Sequence, residues 1–287
     1  MRSETVGIGR RQALGKALML GTGVALAGTS SIAAQKEAKG MSDQDILNFA
    51  LNLEYLEAEY YTRGVTGRGL DLGGNVRGGG QVPFRSDAVR EILAEIAGNE
   101  RAHVAYLRSV LGNAAIQYPA VDFIAGFREA GRLAGLGNDF NPFADEVSFM
   151  LGGYLFEDVG VTAYKGAAAL IDDGDILQAA AGILGVEGYH MGSLRWILYR
   201  RGEPVRLTAN AISDARDALD GPMDQDQGIT MPAAQGARAN IVPADEFGRA
   251  FSRTPKQVLK IVYLASQQNV DRGGFFPKGV NGAITRT

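Results

Sequence analysis

Both histidines of this chain follow a glutamate by three residues. Glu100 and His103 form one pair, and Glu187 and His190 form the other. Three residues make nearly one turn of an α-helix, so the carboxylate and the imidazole of each pair project from the same helix face and can bind one metal ion. The two pairs therefore predict two metal-binding helices.

Apolar residues flank both pairs at the same helical spacings. These residues are Ile96, Leu107 and Val110 around the first pair, and Ile183, Leu194 and Ile197 around the second. The pattern predicts that each pair lies on the buried stripe of its helix. A charged carboxylate in such a stripe is costly unless another group neutralises it, and a bound cation would do so.

Two ions that share one site need bridging carboxylates from other helices, and the chain offers two matched candidates. Glu54 precedes Tyr61 by two helical turns, and Glu157 precedes Tyr164 by the same distance. Glu57 lies one turn from Glu54 and is a rival ligand. We prefer Glu54, because only its spacing to a tyrosine matches that of Glu157. The two tyrosines either hydrogen-bond a ligand carboxylate, relay an electron or simply pack.

The predicted metal ligands consist of four carboxylates and two imidazoles. In chain order they are Glu54, Glu100, His103, Glu157, Glu187 and His190. Mixed oxygen and nitrogen ligands suit iron or manganese better than zinc, calcium or copper. Four carboxylates balance the charge of two divalent ions, so we predict two iron or two manganese ions. A buried polar network without metal is the alternative, but its carboxylates would repel one another.

This ligand order is that of carboxylate-bridged dimetal sites in ferritin-like bundles. Residues 52–61, NLEYLEAEYY, resemble the first bundle helix of ferritins and bacterioferritins. Together with GGFFP at residues 273–277, the whole pattern resembles the ferritin-like proteins called desiccation-related proteins. The resemblance implies an all-α, ferritin-like four-helix bundle, and it supports Glu54 over Glu57 as the ligand.

The resemblance also implies three classes of function. The first is redox chemistry on peroxide or oxygen in stress protection, as in manganese catalases, ferroxidases and di-iron oxidases. The second is metal binding without turnover, and the third is a structural protein that protects against desiccation. A complete ligand set disfavours a purely structural role. We take the first class as the working hypothesis and leave a metal-binding or structural stress-protective protein without turnover as the alternative.

The helix pattern agrees with this fold. We predict bundle helices at residues 42–63, 86–111, 142–171 and 176–199, with Gly64 ending the first. Residues 112–141 form the long crossover between helices two and three that a ferritin-type bundle requires, with a short helix at 120–134. The bundle thus spans residues 41–200. The glycine-rich residues 64–84 predict a loop.

Residues 201–287 are predicted to form a partly helical extension that packs on the bundle. Its helices are expected at 208–219, 243–251 and 254–267, and the apolar segment 273–277 is expected to pack on this surface or on another subunit. Ferritins and bacterioferritins lack this extension, so we do not expect a cage. A smaller homo-oligomer stays open.

Residues 1–34 resemble an export signal. Arg10 and Arg11 form a twin-arginine motif, and a stretch rich in glycine and alanine follows at residues 17–27. We therefore predict a periplasmic or secreted protein. A basic tail and an uncleaved membrane anchor are the alternatives. The twin-arginine route carries folded proteins, often with their cofactor, which agrees with a metal site.

Composition excludes several other functions. The chain has 46% hydrophobic residues, enough for one sizeable core, and it has no cysteine, which excludes disulfides and thiolate chemistry. Its net charge is −3, and no Lys/Arg stripe is interleaved with aromatic residues, so nucleic acid is not an expected partner.

Overall fold

The computed structural model describes residues 40–287, and the predicted export signal lies outside them. Four long helices dominate this part of the chain. They are α1 (Asp43–Thr66), α2 (Asp87–Leu111), α4 (Glu146–Ala168) and α5 (Gly174–Arg200). The shorter helices are α3 (Phe123–Leu133), α6 (Glu203–Asp220) and α7 (Pro255–Val262). The prediction of an all-α fold is confirmed.

The few strands tie loops together. Strand β1 (Val76–Arg77), in the glycine-rich loop, pairs in parallel with β2 (Val121–Asp122) in the crossover. Strands β3 (Thr230–Ala233) and β4 (Gly236–Ala239) form an antiparallel hairpin. The β1–β2 pair holds the loop after α1 against the start of α3.

The bundle is closed by contacts between neighbouring helices. Helix α1 packs along α2, and α4 packs along α5, while α1 also contacts α4 and α2 contacts α5. Most side chains of α1 and α4 are buried, whereas α2 and α5 bury one face only. The crossover and the C-terminal residues cover the outer sides of α1 and α4. No helix within residues 40–287 is long and apolar enough to cross a membrane.

Two helix starts follow from capping side chains. Ser42 accepts a hydrogen bond from the backbone N–H of Asp45 and begins α1, and Asp145 caps α4 in the same way after a short 3-10 turn at Pro142–Ala144. The predicted end of α1 at Gly64 is wrong. The helix continues to Thr66, because Gly64 serves packing: a Cβ there would lie 2.1 Å from the ring of Phe149.

The C-terminal extension differs from prediction at its helices. No helix forms at residues 243–251, because the Asp245 carboxylate accepts hydrogen bonds from the N–H groups of Phe247 and Arg249 and folds a turn instead. Helix α7 ends at Val262, whose carbonyl accepts a hydrogen bond from the N–H of Phe275. The same segment, residues 273–277, packs within this chain rather than leaving its aromatic rings free.

Phe275 is the anchor of that segment. Its ring is fully buried, with centroids 4.9 Å from Phe127 on α3 and 5.0 Å from Phe156 on α4. A Cβ at Gly126 would lie 2.3 Å from the Phe275 ring, so only glycine at this position of α3 leaves room for the ring. The tail thereby closes over the helix that carries Glu157.

Three buried arginines hold the extension to the bundle; together with their aspartates we call them the arginine cluster. Its six members are Arg195, Arg216, Arg253, Asp158, Asp220 and Asp226. Arg216 of α6 donates to Asp158 of α4 at 2.8 Å and to Asp226 at 2.6 Å. Arg253 donates to Asp220 at 2.7 Å and to Asp226 at 2.8 Å. The cluster fixes the extension beside the middle of α4.

Candidate metal centre

The structure brings all six predicted ligands to one place in the bundle interior. Glu54 comes from α1, Glu100 and His103 from α2, Glu157 from α4, and Glu187 and His190 from α5. The four carboxylates are completely buried, and the two histidines are buried as well. Their burial follows from the apolar stripes on which they lie.

The donor atoms form two overlapping groups, each with all its atoms within 4.8 Å of one another. One group contains Glu54, Glu100, His103 and Glu187, and the other contains Glu100, Glu157, Glu187 and His190. Each group is rich in oxygen and has one imidazole, which suits iron or manganese. The described residues thus fit two adjacent ions.

The bridging roles differ from the expectation. Glu54 and Glu157 were the predicted bridges, but each belongs to one group only, whereas Glu100 and Glu187 belong to both. The reason is visible at Glu100, whose two oxygens face different histidines. Its Oε2 lies 3.5 Å from His103 Nδ1, and its Oε1 lies 3.0 Å from His190 Nδ1. If two ions were bound, the glutamates that precede the histidines would be the ones positioned to contact both.

Both imidazoles turn Nδ1 toward the carboxylates. His103 Nδ1 lies 3.2 Å from Glu54 Oε2 and 3.4 Å from Glu187 Oε1. His190 Nδ1 lies 3.4 Å from Glu157 Oε2. Nδ1 is therefore the nitrogen through which each histidine would bind an ion.

Most of these donor atoms have no hydrogen bond, although they are buried. This holds for both carboxylate oxygens of Glu100, Glu157 and Glu187 and for Nδ1 of His190. Buried polar atoms without a partner are rare in folded proteins. Here the atoms approach one another closely but are not aligned as donor and acceptor. A cation at their common centre would satisfy them.

The pKa values show the same imbalance of charge. Burial and the charge of Glu100 raise the pKa of Glu54 to about 7, and burial with the neighbouring carboxylates raises that of Glu187 well above 4.5. Burial opposes ionisation of Glu100 too, but the two imidazoles outweigh it and lower its pKa to about 2. Burial would lower the pKa of His190, but Glu157 and Glu100 raise it to about 11. Without a cation, the site retains protons.

Glu57, the rival ligand, lies beside the centre and belongs to neither group. It is buried, and the charges of Glu187 and Glu100 help burial to raise its pKa well above 4.5. Its matched position on α4 is Gly160, where a Cβ would lie 2.7 Å from Glu187 Oε2 and 3.4 Å from Glu57 Oε1. The absence of a side chain at Gly160 therefore leaves room for both carboxylates.

The two predicted tyrosines lie at the centre but are used differently. The hydroxyl of Tyr164 on α4 donates a hydrogen bond to Oε1 of Glu54 on α1. The hydroxyl of Tyr61 is buried and has no hydrogen bond, although Glu157 lies near enough to help burial raise its pKa. Tyr164 thus holds a ligand carboxylate, whereas Tyr61 packs against Gly153.

Sequence reasoning missed Asn99. Its Nδ2 lies 3.2 Å from His190 Nε2, on the side of the ring opposite the carboxylates. The sequence offered one clue: Asn99 directly precedes Glu100, whereas the apolar Val186 directly precedes Glu187. Helical spacing alone did not show that Asn99 would reach the imidazole ring of His190.

A four-helix bundle with carboxylates and histidines at its centre is the arrangement of ferritin-like proteins. The ferritin-like domain family matches residues 42–200, and the chain belongs to this family. The resemblance inferred from the sequence is thereby confirmed.

Two relatives match over most of their length. The chain is 31% identical to "Ferritin-like catalase Nec2" of Nesocodon mauritianus over 267 residues, which cover 85% of each protein. It is 29% identical to "Desiccation-related protein PCC13-62" of Craterostigma plantagineum over 271 residues, 86% of each protein. No solved structure matches the chain.

Proposed function

We propose that this chain is an exported ferritin-like protein in which two iron or two manganese ions disproportionate peroxide in protection against oxidative stress. The observation that carries the proposal is the set of buried carboxylate oxygens without partners, grouped with two imidazoles around two adjacent positions. The similarity to a relative named a ferritin-like catalase supports the choice of peroxide as the substrate.

The two donor groups define which residues would hold each ion. Glu54 and His103 would bind one ion, Glu157 and His190 would bind the other, and Glu100 and Glu187 would be shared. When bound, a pair of iron or manganese ions supplies two-electron redox chemistry, which matches the conversion of two peroxide molecules into two waters and one dioxygen.

The surrounding residues prepare the site for this reaction. The buried stripes of α2 and α5 keep bulk water away from the carboxylates, and Tyr164 fixes Glu54 through its hydroxyl. Burial and the charge of Glu187 raise the pKa of Glu57 well above 4.5, which favours the protonated form of this carboxyl group. Peroxide reduction consumes protons, and this carboxyl group can hold one close to the reacting oxygen atoms.

The experiment combines metal analysis with an oxygen assay. Metal-free protein is reconstituted with Mn²⁺ or Fe²⁺, bound metal is measured per chain, and dioxygen release from peroxide is followed with an oxygen electrode. We expect two ions per chain and one dioxygen for every two peroxides. Glu187→Gln should abolish both, whereas Glu95→Gln, an exposed change on α2, should leave both unchanged. A chain that binds neither metal would overturn the proposal.

A metal-binding or structural stress-protective protein without turnover is the second candidate. The similarity over 271 residues to a protein named desiccation-related favours a protective role, and the buried Glu/His groups favour metal binding within it. The same assay separates the candidates. Two bound ions with no dioxygen release would select the binding protein over the enzyme.

Export is the remaining part of the proposal and rests on Arg10 and Arg11. Replacing both by lysine should retain the protein in the cytoplasm, because the twin-arginine pair is the part of the signal that its receptor reads. Cell fractionation measures the outcome, with Arg2→Lys as the matched control. Unchanged export of the double variant would reject this route.

A further inference from the structure

The metal centre is built from two halves with matching sequence positions. Glu54 corresponds to Glu157, Tyr61 to Tyr164, Glu100 to Glu187 and His103 to His190. Two other pairs of matched positions around the centre hold different residues: Glu57 corresponds to Gly160, and Asn99 corresponds to Val186. The second difference concerns a residue that lies directly behind the ring of His190.

Asn99 gives one histidine a partner that the other lacks. Its carboxamide lies 3.2 Å from Nε2 of His190. Val186, at the matched position, has no polar side-chain atom, and the close contacts of the His103 ring with the carboxylates all run through Nδ1. Both imidazoles therefore turn Nδ1 toward the carboxylates, but only His190 has a side-chain partner at Nε2 among the described residues.

The contact has a defined role when an ion binds. Ligation through Nδ1 leaves the ring hydrogen on Nε2, which then needs an acceptor. The carboxamide of Asn99 can turn to present its oxygen to this N–H, because its oxygen and nitrogen occupy equivalent ends of a planar group. A hydrogen bond of this kind fixes the orientation of the ring and makes Nδ1 a better ligand.

From this asymmetry we infer that Asn99 is a positioning residue that makes the ion position at Glu157 and His190 the tighter of the two. The inference rests on the proposed dimetal site. The first ion then loads beside His190, and the second loads beside His103, where the ring is less constrained.

Reciprocal exchange of the two matched residues tests this. Metal-free protein is titrated with Mn²⁺ by calorimetry, and samples with one equivalent are examined by electron paramagnetic resonance to separate single ions from coupled pairs. We expect two affinities in the wild type. Asn99→Val should weaken the tighter one about 10- to 100-fold, the usual cost of losing such a partner. Val186→Asn should tighten the weaker one.

A conservative variant and a surface variant exclude a merely structural effect. Asn99→Asp keeps an acceptor behind His190 and should retain the tight affinity, whereas Glu95→Gln, one turn earlier on the exposed side of α2, should bind both ions as the wild type does. If the wild type binds two ions and Asn99→Val binds them with unchanged affinities, the inference is wrong although the dimetal site stands. If the wild type binds no ion, both are wrong.

Discussion

Two clusters of buried charged side chains meet α4 at neighbouring residues. One has as many positive as negative side chains, and the other has more carboxylates than positive partners. Glu157 belongs to the metal centre, and its neighbour Asp158 belongs to the arginine cluster. In the arginine cluster three guanidinium groups meet three carboxylates, with distances of 2.6 to 2.8 Å. In the metal centre four buried ligand carboxylates meet two imidazoles, and Glu57 adds a fifth carboxyl group nearby.

The comparison shows where the chain provides its own counter-charges. A buried ion pair is tolerated when geometry is good and the remaining donors are satisfied, and Arg195 meets this condition through the carbonyls of Gln227, Gly228 and Asn240. Three atoms of the arginine cluster, Asp158 Oδ1, Asp220 Oδ1 and Arg216 Nε, lack a hydrogen bond, but every side chain of that cluster forms at least one. In the metal centre, three glutamates form no side-chain hydrogen bond at all. Within residues 40–287, arginines pair with Asp158 but none pairs with Glu157, which agrees with the proposal that cations from solution complete this site.

The largest effect is expected from breaking the balanced cluster. Arg216→Met leaves Asp158 and Asp226 without one of their partners and should destabilise the protein by about 3–5 kcal/mol, the usual result of removing one member of a buried ion pair. Urea denaturation measures the loss, which should be equal with and without metal. Arg90→Met, on the exposed side of α2, should cost much less. Equal losses in the two variants would show that the buried cluster does not hold the extension.

The opposite response is expected at the metal centre. Burial and the neighbouring carboxylates oppose ionisation of Glu187, so Glu187→Gln, which is always neutral, should leave the metal-free protein as stable as the wild type or more so. With metal present, the wild type should gain about 2.7 kcal/mol when free metal is 100 times its Kd, and the variant should gain nothing. Denaturation with and without Mn²⁺ measures the difference. An equal gain in both proteins would exclude Glu187 as a ligand.

This contrast also explains which features the sequence could predict. Repeated spacing identifies a helix face, so the ligands on four long helices were predictable as candidates, and the structure places all six together. Spacing does not specify how far a side chain reaches, and for this reason the bridging roles and Asn99 were not predictable. Gly64 was misread because a glycine that admits the Phe149 ring has the same sequence signature as one that ends a helix.

The arginine cluster could not be predicted from the sequence, for a different reason. Arg195, Arg216 and Arg253 lie far apart in the chain and share no periodic pattern. Their partners were also separated, with Asp158 on α4 and Asp226 in the segment after α6. Charges that meet only through tertiary packing give no local signal, and a buried arginine resembles an exposed one in the sequence.

An effect of pH on stability is also expected in the metal-free protein. The folded protein holds a proton on Glu54 up to a pKa of about 7, whereas the unfolded chain releases it near 4.5, so stability should fall as pH rises between these values. His190, with a folded pKa of about 11 against 6.5, contributes fully below pH 6.5 and loses its contribution as pH rises toward 11. Both contributions should therefore lower stability as pH rises from 5 to 8.

Chemical denaturation in the presence of a chelator, at several pH values, measures this slope. Glu54→Gln cannot release a proton and should show a shallower decline over the same range. Added Mn²⁺ should reverse the trend, because metal binding displaces these protons and strengthens as pH rises. A metal-free protein whose stability increases from pH 5 to pH 8 would contradict the excess of carboxylate charge.

The smallest effect should distinguish the two tyrosines within the metal centre itself. Tyr164→Phe removes the hydroxyl that donates to Glu54, so one ligand carboxylate loses its only neutral donor and becomes free to turn. We expect a loss of about 1 kcal/mol, or about five-fold weaker metal binding. Tyr61→Phe removes a hydroxyl that has no hydrogen bond and should change affinity less. Calorimetric titration of both variants with Mn²⁺ measures the difference. Equal losses would mean that metal binding draws Tyr61 onto Glu157, so that the two halves of the centre become alike when loaded.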